Sequence, residues 1–174
     1  LYGVGEVPIS IVSDPQEDEL LDHTIRAVGR GTHALARLQA GDRIGVRGPY
    51  GRGWPMAEAE GKDVLIATGG LGCAPVVSVI NYVLRRRERF GKLTIMQGVK
   101  HADDLIWRSK YEQWSRLPNT QVLLAASEGS PSWPWHVGHL PVLFDQAEIT
   151  NHNCSAMMCG PEGMMIAVSK ALQE

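Results

Sequence analysis

Two rhythms of apolar and polar positions divide this chain. From Val7 to about Pro55, short runs between glycine-rich turns predict strands at Val7–Ser13, His23–Val28 and Arg43–Arg47. One helical stretch, Thr32–Leu38, interrupts them. Thr32 can cap it, its apolar positions are Ala34, Leu35 and Leu38, and Ala40-Gly41-Asp42 follows its end. A few strands and one small helix read as part of an antiparallel barrel. From Lys62 the text becomes strand–helix alternation. Asp63–Thr68 is a nearly unbroken apolar run, as a parallel strand buried on both faces requires. Pro75–Arg87 follows as a helix with Val76, Val77, Ile80, Val83 and Leu84 on one stripe. Then come a strand at Lys92–Gln97, helical text over Ala102–Trp114 and a strand at Gln121–Ala126. After the loop Ser130–His136, a short helix at His139–Phe144 precedes the strand Ser155–Cys159 and a last helix, Pro161–Leu172. The expected fold class is therefore α/β: a doubly wound parallel sheet over residues 62–174, preceded by a partial barrel over residues 1–56. The boundary falls in the polar, alanine-containing linker Trp54–Lys62.

The junctions of this pattern carry the candidate chemistry. Ile66-Ala67-Thr68-Gly69-Gly70-Leu71-Gly72-Cys73-Ala74-Pro75 lies between a buried strand and an amphipathic helix, at the strand end where open α/β sheets bind ligands. Gly69, Gly70 and Gly72 let backbone approach a ligand without an intervening Cβ, and Pro75 suits a first helical turn. The N–H groups of such a turn suit a pyrophosphate; a purely structural tight turn is the alternative. Met158-Cys159-Gly160-Pro161-Glu162-Gly163-Met164 repeats the strand-to-helix arrangement. Cys159 there is either a small thiol beside a flat ring or a core cysteine. The second strand ends at Met96-Gln97-Gly98 with no carboxylate for an adenosine ribose, and Pro75 replaces the third glycine of the dehydrogenase fingerprint. An ordinary Rossmann dehydrogenase is disfavoured. A Tyr-x-x-x-Lys pair is also absent, since Arg86 and Ser115 stand four residues after Tyr82 and Tyr111.

Composition narrows the field. Apolar residues at 44% and charged residues at 21% fit a folded chain, and a net charge of −2 provides no field for nucleic acid or an anionic membrane. No apolar run approaches bilayer length, so membrane insertion is not expected. The basic run Arg85-Arg86-Arg87-Glu88-Arg89 reads as a solvated helix end. Three cysteines, Cys73, Cys154 and Cys159, form no CxxC pair, which argues against an iron–sulfur cluster within this segment and suits a reducing cytosol. His136 and His139 lack a third metal ligand nearby and read as loop packing. Met157, Met158, Met164 and Met165 read as core filler. Asp103-Asp104 reads as a helix start. A chain opening on Leu1-Tyr2-Gly3 in strand-like text is expected to be a fragment whose start lies elsewhere.

Gly-Gly-x-Gly-x-Ala-Pro, followed about ninety residues later by Cys-Gly-Pro-x-x-Met, resembles the ferredoxin–NADP⁺ reductase superfamily. With Gly41-Asp42-Arg43-Ile44-Gly45-Val46-Arg47-Gly48-Pro49-Tyr50-Gly51, the chain looks most like the gamma subunits of cytosolic [NiFe] hydrogenases. One subunit of anaerobic sulfite reductase and the electron-transfer subunit of dihydroorotate dehydrogenase are close relatives. The resemblance implies that the first region is a flavin-binding barrel. Pro8, Ile9 and Ser10 (with Ile11) would meet the flavin, although the aromatic partner usual in the family is missing. Gly29-Arg30-Gly31-Thr32 resembles the FAD-pyrophosphate loop; without the family, Gly31 and Thr32 read equally well as a turn and an N-cap. The resemblance also implies a parent with a C-terminal [2Fe–2S] segment, outside this chain, and a hetero-oligomer with iron–sulfur, hydrogenase or sulfite reductase subunits.

The expected activity is that of an NAD(P)H-dependent oxidoreductase: hydride exchange between a nicotinamide and FAD, then single electrons to an iron–sulfur partner, in the cytoplasm. Such chemistry is largely geometric, holding nicotinamide C4 within about 3–3.5 Å of flavin N5. Thr68, Gly69, Gly70, Leu71, Gly72, Ala74 and Pro75 are the pyrophosphate candidates. Gln97, Gly98 and Glu128 fall at neighbouring strand ends; Cys159, Gly160, Pro161 and Met164 form the nicotinamide side, with Cys159 the catalytic candidate. Glu128 would repel a 2′-phosphate and accept from a ribose hydroxyl, which tilts the reading towards NADH, with Lys100 and Arg108 as opposing cations. The rivals are a stand-alone flavin or ferredoxin reductase and a non-catalytic nucleotide-binding subunit.

Overall fold

The computed structural model describes residues 3–16, 19–149 and 153–173. Its centre is a five-stranded, all-parallel sheet in the order β4-β3-β2-β1-β5. The strands are β1 (Asp63–Gly69), β2 (Leu93–His101), β3 (Thr120–Glu128), β4 (His136–Val137) and β5 (Cys154–Cys159). Helices α1 (Arg30–Leu35) and α2 (Met56–Ala59) precede the sheet, and α3 (Cys73–Arg85), α4 (Arg108–Trp114) and α5 (Glu162–Ala171) alternate with it. Successive strands step outwards from β1 through β4, then the chain returns so that β5 lies on the other side of β1. This reversal places the topological switch point between β1 and β5, where the carboxyl ends of neighbouring strands lead off in opposite directions.

The two-residue side-chain period of β1 feeds two separate cores. Val64 and Ile66 pack with Val76, Val77, Ile80 and Val83 of α3 and with Tyr111 and Trp114 of α4. Leu65 and Ala67 face the other side, against Met96, Ala125, Leu140, Leu143 and Val168 of α5. Each large aliphatic chain buried this way contributes about 1.5–3 kcal/mol. A strand covered on both faces must be apolar throughout, which explains the unbroken run that marks β1 in the sequence.

Several boundaries differ from expectation. β2 continues past Gln97 to His101, because β1 and β3 pair with it in register as far as Gly69↔Gly98 and His101↔Glu128. The helical text after it breaks at Trp107, whose left-handed φ of 58° separates the short turn Ala102–Asp104 from α4. β3 gains Ser127 and Glu128, the short strand β4 emerges from the Trp/Pro-rich loop, and the segment after His139 is a 3₁₀ helix, Leu140–Gln146. α3 starts at Cys73, following a 3₁₀ turn over Gly70–Gly72, and ends at Arg85.

The first region departs furthest from expectation. Among the described residues none of the three anticipated strands forms; a single antiparallel bridge, Ile11↔His23, supported by Val12 N–H donating to the Asp22 carbonyl at 2.8 Å, is what pairing there is. A strand needs a neighbour to satisfy its backbone, and here Ile44, Val46 and Tyr50 stay exposed instead of covering one another. Helix α1 begins two residues before Thr32, which sits in its first turn rather than at its cap and accepts from the N–H of Gly29 at 3.0 Å. The linker is also less solvated than its composition suggests. Ala59 is fully buried, and the Trp54 indole N–H donates to the Pro75 carbonyl at 3.0 Å.

Arg86 and Arg87 correct the reading of a solvated helix end. Arg87 donates to the carbonyls of Phe90, Gly91 and Asn119. Arg86, with 12% of its side chain exposed, lies 3.1 Å from the buried carboxylate of Asp14 and stacks on Tyr82 with its guanidinium 3.9 Å from the ring centre. This pair ties residues 12–16 to the end of α3. Arg86→Ala leaves Asp14 buried beside the more distant Arg85, at 3.6 Å, and is expected to cost roughly 3 kcal/mol. Hydrogen exchange should show the loss concentrated at residues 12–16 while the amides of β1 keep their protection.

Candidate functional site

The two glycine-bearing turns leave adjacent strands at the same end of the sheet, since Thr68 pairs with Cys159 and with Gln97. They touch backbone to backbone. A Cβ built on Gly160 would lie 2.8 Å from Gly69 N, and one on Gly72 would fall on the Cys159 carbonyl oxygen and 2.8 Å from Gly160 Cα. Glycine is required here by close approach rather than by dihedral angle. Gly70 is the converse case: its φ of +53° favours glycine, and nothing lies within 4 Å of where a Cβ would stand.

Beyond the strand ends lies a crevice of about 370 Å³, lined by Gly69, Gly70, Gly98, Lys100, Ser127, His139, Pro161 and Met164, with Arg26 reaching it from the first region. Arg26 and Lys100 bring positive charge to a cleft whose floor is glycine backbone, and Asp104 adds one carboxylate. Such a combination suits a diphosphate ester. Ser127 Oγ lies 3.3 Å from His139 Nδ1, and Glu128 lies 3.0 Å from His101 Nδ1 across the β2–β3 register.

The remaining candidate residues sort by position. Thr68, Ala74 and Gln97 are buried and do not line the crevice. Gln97 instead donates to the carbonyl of Gly70 at 3.0 Å. Leu71 and Pro75 are half-buried in the turn and the first turn of α3. Cys159 is half-buried, and its side chain packs on the α3 core rather than lining the cleft. In the first region Pro8 and Ser10 are exposed, Ile9 and Gly31 are half-buried, and the Thr32 hydroxyl accepts from Val28 N–H as well as Gly29 N–H. Met164 is not core filler alone, because it borders the crevice against Gly69; Met157 does fill the core. Arg108 is committed elsewhere, to the Trp135 ring, the Ser132 carbonyl and Glu112. Asp104 accepts from His101 N–H at 3.2 Å, as a turn-starting aspartate should. Among the described residues no group of three or more His, Cys, Asp or Glu is placed to hold a metal. Arg26 went unnoticed in the sequence; its one signal is a cation within an alternating run.

All three cysteines are free. Burial pushes the Cys73 thiol up to about 11, with Tyr111 as its hydrogen-bond partner, and burial raises Tyr111 and Cys159 as well. These groups are neutral at physiological pH, so the site offers no thiolate nucleophile.

This parallel sheet, with glycine turns facing a crevice at its switch point, is that of a dinucleotide-binding domain. The profile of the oxidoreductase NAD-binding domain matches residues 65–170, and the chain belongs to that family. It is 36% identical over 173 residues to the gamma subunit of sulfhydrogenase 1 of Pyrococcus furiosus, a match covering 98% of this chain and 59% of that protein. It is 32% identical over 175 residues to a probable dihydroorotate dehydrogenase B (NAD⁺) electron-transfer subunit of Methanocella arvoryzae, covering all of this chain and 59% of that one. The chain thus spans less than two thirds of these relatives. Among solved structures, the CS-b5R domains of human Ncb5or in their NAD⁺ form superpose with a TM-score of 0.75 at 26% identity, over 96% of this chain and 52% of that one. No helix among the described residues is long and apolar enough to cross a membrane.

Two substitutions test the contact between the turns. Gly72→Ala forces two backbones apart and should cost about 1–3 kcal/mol by denaturant unfolding. Gly163→Ala, in the first turn of α5 with nothing within 4 Å, should be neutral or stabilise by about 0.4–1 kcal/mol. A third expectation concerns pH. Because folding raises the Cys73 thiol from its usual 9 to about 11, that stabilisation is complete below pH 9 and lost as pH rises through 11. Urea midpoints measured across this window should fall, and Cys73→Ala should flatten part of the slope.

Proposed function

We propose that this chain is the nicotinamide-dinucleotide-binding portion of an electron-transfer flavoprotein. Residues 62–174 seat NAD(P)H, and residues 1–56 supply part of an FAD-binding barrel. The carrying observation is the crevice at the switch point, with bare glycine backbone on its floor and Arg26 and Lys100 at its walls. In this reading Gly69, Gly70, Leu71 and Gly72 face the diphosphate, and Arg26 neutralises it. Gly160, Pro161 and Met164 flank the nicotinamide, with Cys159 packing beneath them. Gly98 leaves the cleft open at β2, and Glu128, steadied by His101, accepts from the adenosine ribose, favouring NADH. Pro8, Ile9, Ser10, Gly31 and Thr32 are the flavin-side residues.

Fit to a dinucleotide is supported by the space beside Gly70, where a Cβ would meet nothing and the ligand can reach backbone. Bound together, a nicotinamide and a flavin supply hydride exchange and the conversion of paired into single electrons. The chain's own task is binding and alignment. Its raised, neutral thiols donate no charge to that cleft, and among the described residues no paired carboxylates line it. By analogy with the sulfhydrogenase and dihydroorotate dehydrogenase relatives, the parent protein works in the cytoplasm within a hetero-oligomer and passes electrons to or from an iron–sulfur partner.

The test is purification of the parent protein with its co-purifying subunits. A yellow protein that reduces a dye with NADH supports the proposal; a colourless, inactive protein that still binds dinucleotide indicates a non-catalytic subunit instead. Arg26→Ala should raise the KM for NADH about tenfold with little change in kcat, since a charge-assisted contact to a non-reacting diphosphate stabilises ground and transition states alike.

A further inference from the structure

Gln97 is a long polar side chain with 1% of its surface exposed, in the middle of the sheet between Thr68 of β1 and Leu124 of β3. Burying a carboxamide costs free energy unless each of its polar atoms is paired. Its pairing is complete and directional. Oε1 accepts from the hydroxyl of Thr68, also 1% exposed, and Nε2 donates to the carbonyls of Gly70 at 3.0 Å and Gly98 at 3.1 Å. The opposite amide orientation would set Oε1 against two carbonyl oxygens, so chemistry fixes which end is which. The Thr68 hydroxyl lies 3.3 Å from the Met96 carbonyl as well, which anchors this pair across β1 and β2.

The Gly70 carbonyl is thereby drawn inwards, where it also accepts from Cys73 N–H at the start of α3. In a trans peptide unit the carbonyl and the following N–H point in opposite directions. Holding Gly70 O against the sheet therefore turns the Leu71 N–H away from it. Gly70, at φ +53° and with open space around it, puts no side chain in the way of rotation of this peptide unit, which Gln97 restrains from the sheet side and Cys73 N–H from the helix side.

We propose that Gln97 is a positioning residue: from beneath the glycine turn it fixes the Gly70–Leu71 peptide plane so that the Leu71 N–H is presented to a ligand phosphate. The proposal rests on the dinucleotide reading of the crevice and assigns Gln97 a role through the turn instead of contact with the cofactor.

The experiment is titration of the protein with ADP-ribose by calorimetry, together with the ¹⁵N shift of the Leu71 amide. Gln97→Leu should weaken ADP-ribose binding about tenfold, the loss of roughly one charge-assisted hydrogen bond, and abolish the ligand-induced shift at Leu71. Gln97→Glu provides the conservative rescue. Its protonated carboxyl can donate to Gly70 O and accept from Thr68, whereas its carboxylate repels Gly70 O. Relative to wild type, its affinity should approach the native value at low pH and fall to that of Gln97→Leu as pH rises. If Gln97→Leu does not fold, the pH profile of Gln97→Glu decides the matter. Wild-type affinity in both variants, or a Gln97→Glu affinity ratio flat with pH, overturns the positioning role while leaving the dinucleotide site intact. Failure of the wild-type protein to bind ADP-ribose overturns the reading of the site, and this role with it.

Discussion

The structure depends on the contact of two backbones with no side chain between them. Where β1 and β5 end, Gly72 lies against the carbonyl of Cys159, and Gly160 lies against Gly69. Parallel strands are spaced by their hydrogen bonds, but the turns that follow them are not, and side chains at these positions would wedge the turns apart. Glycine at three of the four positions lets α3 and α5 start close together on opposite faces of the sheet. The crevice is the space beyond this junction, and the part of it formed by Gly69 and Gly70 is set by backbone rather than by rotamers. That part of the surface needs little rearrangement to receive a ligand.

Beneath this junction, the buried polar groups have structural tasks. Gln97 and Thr68 bridge the two central strands below the turn, and the Trp54 indole holds the Pro75 carbonyl behind it. Asp14 and Arg86 fasten the first region to the far end of α3. The helix is thus gripped near both ends by residues that precede the sheet. Arg26, which belongs to the same first region, lines the crevice with the glycine turn of the second.

The alternating half of the fold was legible because parallel sheets impose strong patterns. An apolar run such as Val64–Ala67 has few other structural meanings when glycine follows it, and the stripe of α3 is plain. The ends of β2 and β3 were not legible, because pairing with neighbours rather than local composition decides how far a strand runs. That error mattered for the site: Gln97 looked like a strand end open to ligand and is an interior residue. The three strands expected in the first region do not form, for a related reason. Alternation at Ile44 and Val46 states a preference for pairing, and pairing requires a partner that composition cannot supply. Arg26 could not be placed over Gly69 from sequence, since only the folded return of the chain brings them together.

The outer margin of the sheet has its own consequence. β4 pairs with β3 at Ala125 and Ala126, so among the described residues no strand flanks the early residues of β3 on that side. There the side-chain amide of Gln121 donates to the Gln146 carbonyl at 2.9 Å and accepts from Glu148 N–H at 3.0 Å. A single glutamine thus ties the segment 146–148 to β3 through both ends of its amide. With Pro134 close by, this gives the molecule a blunted border, the kind that discourages copies from zipping together along exposed edges.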